Sequence, residues 1–297
     1  MRFEKWQALG NDYLIVEADE LAFALTPARV RRLCAGHFGV FADGVLELSR
    51  PADAADVADL KIYNPDGSEA ELSGNGAREA IMYLRRRGWT EEDEFSIHTA
   101  AGTIRPQITG WDTCRVDMGR ASLTSKDLPG GAPDGRGELL LERPEVHTLH
   151  FQHVSIGNPQ CAIHVSSEAA LDALHLPLIG PPIEGNEAFP NRTNVSWYTE
   201  LEALDPAAEG SRIRARIFER GVGETLSSGT GATGAAVAHL LDSGATDRAG
   251  RVTVVLDGGE LVVEVEEDLR VNLTGWARPV FNGRLSDDFV KELNETE

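Results

Sequence analysis

The segments Glu69-Ala-Glu-Leu-Ser73-Gly-Asn-Gly-Ala77 and Glu224-Thr-Leu-Ser-Ser228-Gly-Thr-Gly-Ala232 each place a Glu, four residues on a Ser, then Gly-x-Gly-Ala, and they recur 155 positions apart. A Ser-Gly-x-Gly-Ala run leading into an apolar helix sets a small polar side chain and several backbone N–H groups at a helix start, where an anion is favoured. The pattern reads as one site built twice, and two such starts facing each other would enclose one small acid. A Ser hydroxyl is a far weaker acid than a thiol, so Ser73 or Ser228 can move a proton only with an acceptor in hydrogen-bond reach. Glu69 and Glu224, each four residues before its Ser, and Glu219 are the carboxylates available. The competing reading is that these glycines merely permit tight turns before helices.

To place these groups, the chain must start a buried helix at each segment. Apolar helical patterns run from Gly76 to Arg87 and from Thr230 to Asp242, with Gly88 and Gly244 just beyond their ends. A third helix is expected over Pro27 to Ala35. The repeat also extends upstream: Leu9-Gly10-Asn11-Asp12-Tyr-Leu-Ile-Val16 has a counterpart in Ile156-Gly157-Asn158-Pro159-Gln-Cys-Ala-Ile163. The Gly-Asn turn precedes its Ser by 63 residues in the first half and by 71 in the second, as duplicated domains with loop insertions would space it.

Strand-like runs alternate with these helices at Leu60 to Tyr63, Glu94 to His98, Cys114 to Met118, Thr148 to Val154, Asn194 to Trp197 and Ile213 to Phe218. After the second helix, Arg251 to Leu256, Glu260 to Glu266 and Leu269 to Leu273 alternate as half-exposed antiparallel strands do. The fold class is therefore α+β. Pro129, Gly130, Gly131, Pro133, Gly135 and Gly137 give residues 124–145 the composition of a linker. This divides the chain into 1–123 and 146–274, with 275–297 available to complete the first domain. The charged tail from Ser286 to Glu297 is expected to fray.

A chain of 297 residues, 26% charged and 41% hydrophobic, has room for two globular domains. No apolar run is long enough to span a membrane, and Met-Arg-Phe-Glu-Lys-Trp-Gln has no secretory apolar region, so a cytoplasmic protein is expected. The net charge of −20, with four Lys and 24 Arg, leaves no basic cluster for a nucleic-acid backbone. Cys34, Cys114 and Cys161 are widely spaced and read as small buried hydrophobes, with neither a disulfide framework nor a zinc site. No His/Cys/Asp cluster has ligand spacing, and the Gly-x-Gly loops lack the third Gly and following acid of a dinucleotide site. Neither a metal nor another cofactor is expected.

The segments Tyr63 to Arg78 and Phe218 to Ala232 closely resemble the two active-site signatures of the diaminopimelate epimerase family. Ala8-Leu-Gly-Asn-Asp-Tyr13, Gly157-Asn-Pro159 and Phe189-Pro-Asn-Arg-Thr-Asn-Val195 are similar to that family too, in family order from residue 3 to about residue 280. The resemblance implies two pseudo-symmetric α+β domains, each a mostly antiparallel sheet wrapped around a central helix, with the substrate in the cleft between them. It implies cofactor-independent interconversion of LL-2,6-diaminopimelate and the meso form, on the route to lysine. In the family, one thiol removes the α-proton and a second delivers a proton from the opposite face.

Here the family cysteines fall at Ser73 and Ser228, and the His that follows Gly-Asn-Pro falls at Gln160. By the same resemblance Ser73 and Ser228 take the catalytic positions. Gly74, Asn75, Gly229 and Thr230 offer backbone N–H groups to the carboxylate beside the reacting carbon. Arg220 can hold a carboxylate bidentately, while Asn11, Asn64, Asn158, Asn194 and Glu219 bind the rest of a small zwitterionic amino acid. For Asn11 and Asn158, turn formation after Gly is a close alternative, and for Glu219-Arg220 an ordinary surface pair at a strand end is the lesser one. Two alternatives to the epimerase stay open: a related isomerase of another small amino acid, and a non-catalytic amino-acid-binding paralogue. The expected partner is that amino acid, with a homodimer allowed and neither nucleic acid nor membrane involved.

Overall fold

Phe3, Trp6 and Ala8 are the buried residues of β1 (Arg2–Ala8); Phe3 packs in the apolar cluster with Leu14, Val16 and Leu293, while the Trp6 ring meets that of Tyr83 edge-on. The chain reverses through Leu9 and Gly10, both left-handed at φ 54° and 86°, as a two-residue hairpin turn requires. It returns as β2 (Asn11–Glu17). The structure is a computed structural model describing residues 1–71, 73–141, 147–202, 210–242 and 249–296. The chain forms two units, residues 1–116 with 275–297, and residues 117–274.

In the first unit β2 is followed by α1 (Pro27–Cys34), β3 (Val45–Ser49), β4 (Ala58–Tyr63), β5 (Glu69–Ala70) and α2 (Gly74–Arg86). Then come β6 (Ile97–Thr99), β7 (Gly102–Ile104), β8 (Gln107–Ile108) and β9 (Thr113–Arg120), within which the chain passes to the second unit. That unit contains β10 (Arg136–Leu141), β11 (His147–Ser155), β12 (Pro159–His164), α3 (Glu168–Asp172), α4 (Leu176–Glu184) and β13 (Asn194–Leu201). It continues with β14 (Ser211–Glu219), β15 (Gly223–Thr225), α5 (Gly229–Asp242), β16 (Gly250–Leu256), β17 (Gly259–Val265) and β18 (Arg270–Trp276). The chain closes with β19 (Arg278–Arg284) and α6 (Asp287–Glu295) in the first unit.

The two sheets repeat one pairing plan. In the first the order is β19-β1-β2-β3-β4-β6-β7, with β5 folded onto β4. In the second it is β10-β11-β12-β13-β14-β16-β17, with β15 folded onto β14 and β18 following β17. Parallel pairs fall at matching places, β2 with β3 and β4 with β6, then β12 with β13 and β14 with β16. The remaining pairs along these two orders are antiparallel. The sequence repeat is thus a repeat of topology, and both sheets are mostly antiparallel.

Each repeated segment leads from a short hairpin strand into the central helix of its unit. The helix α2 is buried from Asn75 to Leu84 and packs on β1, β2, β3 and β19. The helix α5 is buried from Gly231 to Leu240 and packs on β11 to β14, β16 and β17. Over these stretches both helices are buried on all sides, and the sheets enclose them. Burying side chains such as Ile81, Leu84 and Val237 stabilises the fold by roughly 1.5–3 kcal/mol each.

The segment expected as a strand from Glu94 is ordered as β6 only from Ile97, while Glu94 makes a single bridge to Gln107. Within residues 124–145, Arg136–Leu141 form β10, because Leu139 and Leu141 alternate inward onto the apolar core of the second unit. Residues 142–145 of that stretch, and Gly244 beyond α5, lie outside the described residues.

The tail does not fray through its described length. Ser286 Oγ accepts the Phe289 N–H to start α6, and Phe289, Val290 and Leu293 turn toward the core of the first unit. Arg29 donates to the carbonyls of Leu293, Asn294 and Thr296, so a cation meets the negative end of the helix. The high charge of the tail conceals this one apolar stripe. Because Leu293 is fully buried, Leu293→Ala is expected to cost about 2–4 kcal/mol, read as a lower urea midpoint; an unchanged midpoint would contradict the docking of α6.

Candidate functional site

In the first unit Ser73 is the N-cap of α2. Its backbone is extended at φ −128° and ψ 121°, and its Oγ accepts the Gly76 N–H at 3.1 Å. Gly76 lets the helix start pack close to β3: a Cβ there would lie 3.1 Å from the Leu46 side chain, a tight contact. The Tyr13 hydroxyl donates to Ser73 Oγ at 3.2 Å. Under this turn lies Arg78, fully buried, donating to the Gly74 carbonyl and, at 2.6 Å, to Asn75 Oδ1. Its neighbour Glu79 is also fully buried, and desolvation pushes that carboxyl well up, toward its neutral form, against the opposing pull of Arg78.

Asn11 begins β2 and donates to Asp43 Oδ2 at 2.8 Å, and the same carboxylate accepts the Asp12 N–H. Asn64 sits at the β4–β5 hairpin, where its side-chain N–H donates to Ser68 Oγ at 2.9 Å and its carbonyl accepts the Gly67 N–H. Gly67 has φ 86°, and a Cβ there would come 2.3 Å from the Pro27 carbonyl oxygen, so glycine is required. Asn64 is held within its own hairpin, whereas the Asn11 side chain reaches a carboxylate 32 residues away.

The second unit repeats the helix start with different partners. Ser228 Oγ accepts the Gly231 N–H at 3.3 Å and donates to Glu219 Oε2 at 3.0 Å. A Cβ on Gly231 would reach 2.7 Å from Ile217 of β14, so the second glycine of this segment also lets the helix start approach a strand. Glu219 accepts from the Thr225 hydroxyl at 2.8 Å through its other oxygen. Burial raises the Glu219 carboxyl above its ordinary range, and the Thr225 and Ser228 hydrogen bonds partly oppose that.

Around this start, Gln160 Nε2 donates to Asn158 Oδ1 at 2.7 Å, and Asn158 donates to Thr230 Oγ1 at 3.3 Å. Gln160 is fully buried with its Oε1 unpartnered, and the absent Cβ of Gly234 leaves room for its stem. Asn194 Oδ1 accepts the Arg220 N–H at 2.9 Å. The exposed Arg220 side chain donates to the Asn191 carbonyl. The structure therefore joins Ser228 to Glu219, Asn158 to Thr230, and Asn194 to Arg220.

Two carboxylates offered by the sequence are not the partners of the serines. Glu224 lies on β15 and is held by Arg216 at 2.6 and 2.9 Å. Glu69 is exposed on β5, opposite Tyr63. A Glu four residues before the cap sits on the hairpin strand, and the acceptor comes instead from the end of the preceding long strand. Sequence reasoning also missed Glu184, which is buried at the end of α4, accepts the Gly221 N–H at 2.7 Å and pairs with Arg192 at 2.5 Å. It holds the tip of the hairpin carrying Glu219 and Arg220. The left-handed φ of 62° at Arg192 marks where the chain turns to reach it. Nothing in the spacing of Glu184 signals this, since its partners are 8 and 37 residues away.

Among the described residues, no group of three or more His, Cys, Asp or Glu could hold a metal ion, and no helix is long and apolar enough to cross a membrane. The cysteines are buried, and burial pushes the thiols of Cys34 and Cys114 up to about 12.

Residues 3–124 and 152–279 match the family model described as diaminopimelate epimerase. The diaminopimelate epimerase of Pelotomaculum thermopropionicum is 40% identical over 291 residues, covering 95% of this chain and 98% of that protein. A phenazine biosynthesis protein of the PhzF family from Bacillus anthracis has the same fold, with TM-score 0.67 at 18% identity over 96% of this chain and 99% of the other. So has a hydroxyproline epimerase from Agrobacterium vitis, with TM-score 0.65 at 16% identity over 97% of this chain and 93% of the other.

The raised carboxyl of Glu219 has a signed consequence for stability. Its contribution is whole below about pH 4.5, where the unfolded carboxyl is still protonated, and is lost as pH rises through the higher native value. Glu219→Gln is therefore expected to raise the melting temperature near about pH 8, with the gain vanishing near about pH 4. Melting curves across that range check it, and a pH-independent difference would contradict it.

Proposed function

The chain belongs to the diaminopimelate epimerase family, and from that premise we propose that it interconverts LL-2,6-diaminopimelate and meso-diaminopimelate without a cofactor, in the service of lysine synthesis. The observation that carries the reading is the hydrogen bond from Ser228, at a helix start, to the half-buried Glu219 carboxyl at 3.0 Å. It supplies the acceptor that a serine needs before it can take a proton.

The α-proton of an amino acid is very weakly acidic, so the charge left on deprotonation has to be stabilised as it forms. N–H groups of Gly74, Asn75, Gly229 and Thr230, at the first turns of α2 and α5, are donors for the adjoining carboxylate. They are fixed before the reaction and need no reorganisation. Ser228 passes its own proton to Glu219 as it takes one from carbon, and the raised carboxyl makes Glu219 a better acceptor than an ordinary glutamate. Ser73 stands at the second proton-transfer position. Asn11, Asn64, Asn158, Asn194, Glu219 and Arg220 hold the amino-acid groups of the substrate, with Arg220 presenting a planar cation to a carboxylate.

Serine in place of thiol predicts a slow enzyme, because a thiolate is accessible near neutral pH and an alkoxide is not. LL-diaminopimelate incubated with the protein in deuterated water is expected to take up deuterium at the α-carbon as the ratio moves toward the meso form. Binding without exchange would overturn the proposal in favour of an amino-acid-binding protein, and exchange of a different amino acid alone would overturn the substrate. The double change Ser73→Cys/Ser228→Cys is expected to raise kcat/KM by about a hundredfold or more. An unchanged rate would mean that the site no longer works through these two positions.

A further inference from the structure

The two helix starts carry the same residue in unlike surroundings. Ser228 donates to a carboxyl, whereas Ser73 Oγ has the Tyr13 hydroxyl at 3.2 Å and the Gly76 N–H at 3.1 Å. A phenol is a much stronger acid than an aliphatic hydroxyl, so Tyr13 donates and Ser73 accepts. With two bonds accepted, Ser73 keeps its own proton for a third group. The same two donors would share the charge on its oxygen once that proton has left.

The seat of Tyr13 is built into the unit. The residue is 5% exposed on β2. A Cβ on Gly44 would lie 2.5 Å from its ring and 2.3 Å from the Tyr63 carbonyl oxygen, so only glycine leaves the ring this place. The Leu14 N–H donates to the Gly44 carbonyl at 3.0 Å and ties the two segments together. Tyr13 follows Gly10-Asn11 by the same step as Gln160 follows Gly157-Asn158. Gln160 turns to Asn158 at 2.7 Å, so the duplicated position has become a phenol for Ser73 in one unit and an amide for Asn158 in the other.

We propose that Tyr13 is a positioning residue for proton transfer at Ser73: its hydroxyl aims the Ser73 O–H outward as a donor and stabilises the Ser73 oxygen after the proton leaves. The inference rests on the epimerase reading for its role in turnover, while the contact itself can be tested without turnover.

The experiment compares the wild type, Tyr13→Phe, Ser73→Cys and Ser73→Cys/Tyr13→Phe. Tyr13→Phe keeps the ring that fills the seat. It is expected to lower kcat for α-proton exchange of LL-diaminopimelate about tenfold or more, with KM held within about twofold. The second readout is the pH midpoint for iodoacetamide alkylation of the thiol introduced by Ser73→Cys, located by mass spectrometry. Removing the phenol donor is expected to raise that midpoint by about half a unit or more. Cys34, Cys114 and Cys161 are buried with raised thiols and do not compete.

A wild type that turns over, with kcat insensitive to Tyr13→Phe or an unmoved thiol midpoint, would overturn the role of Tyr13 and leave the epimerase reading intact. A wild type without turnover, in which the midpoint still moves, would overturn the epimerase reading and support the donation from Tyr13 to residue 73.

Discussion

Each unit depends on starting a helix in its own interior. A helix leaves its first N–H groups without intrahelical partners, and burying such groups is costly unless something accepts them. At α2 and α5 a Ser oxygen accepts the third N–H, and a glycine lets the first turn press against a strand, Leu46 in one unit and Ile217 in the other. The sheets, the hairpins on β4 and β14, and the buried pair Arg78 and Glu79 are all arranged around these two starts. The same N–H groups that pose a folding problem are suited to an anion, and under the proposed function one device meets both requirements.

Duplication supplied the device twice, and divergence made the copies unequal. The hairpin after β4 ends in Asn64, whose partner is Ser68; the hairpin after β14 ends in Glu219, whose partners are Thr225 and Ser228. Glu184 braces the second hairpin through the Gly221 N–H. A carboxyl raised by burial is held beside one serine and a phenol beside the other. That difference matters because a serine, unlike a thiol, depends on its neighbour to ionise. The net charge of −20 acts against binding an acid at long range. Under the proposed function, the local N–H groups and Arg220 supply the attraction.

The parts of this protein legible in its sequence are those encoded over short distances. The Ser-Gly-x-Gly-Ala segments, the helices that leave them and the Gly-Asn turns depend on neighbouring residues, and their recurrence predicted a duplication that the strand pairings repeat. The α+β class followed from alternation and helical periodicity. The tail was misread because net composition outweighed the stripe of Phe289, Val290 and Leu293, and that stripe matters only where a core exists to receive it.

Long-range partners were not legible. Glu69 and Glu224 precede their serines by the same step, yet Arg216 claims Glu224, and Glu219 reaches Ser228 from the end of β14. Tyr13 stands 60 residues from Ser73 and Glu184 stands 37 from Gly221, so no local pattern links them. The chain alone specified which residues head the two helices, because capping and glycine geometry are local. The packing of strands from distant parts of the chain chose the acceptor of one serine and the donor of the other, because a hydrogen bond depends on distance in space, which sequence separation does not reveal.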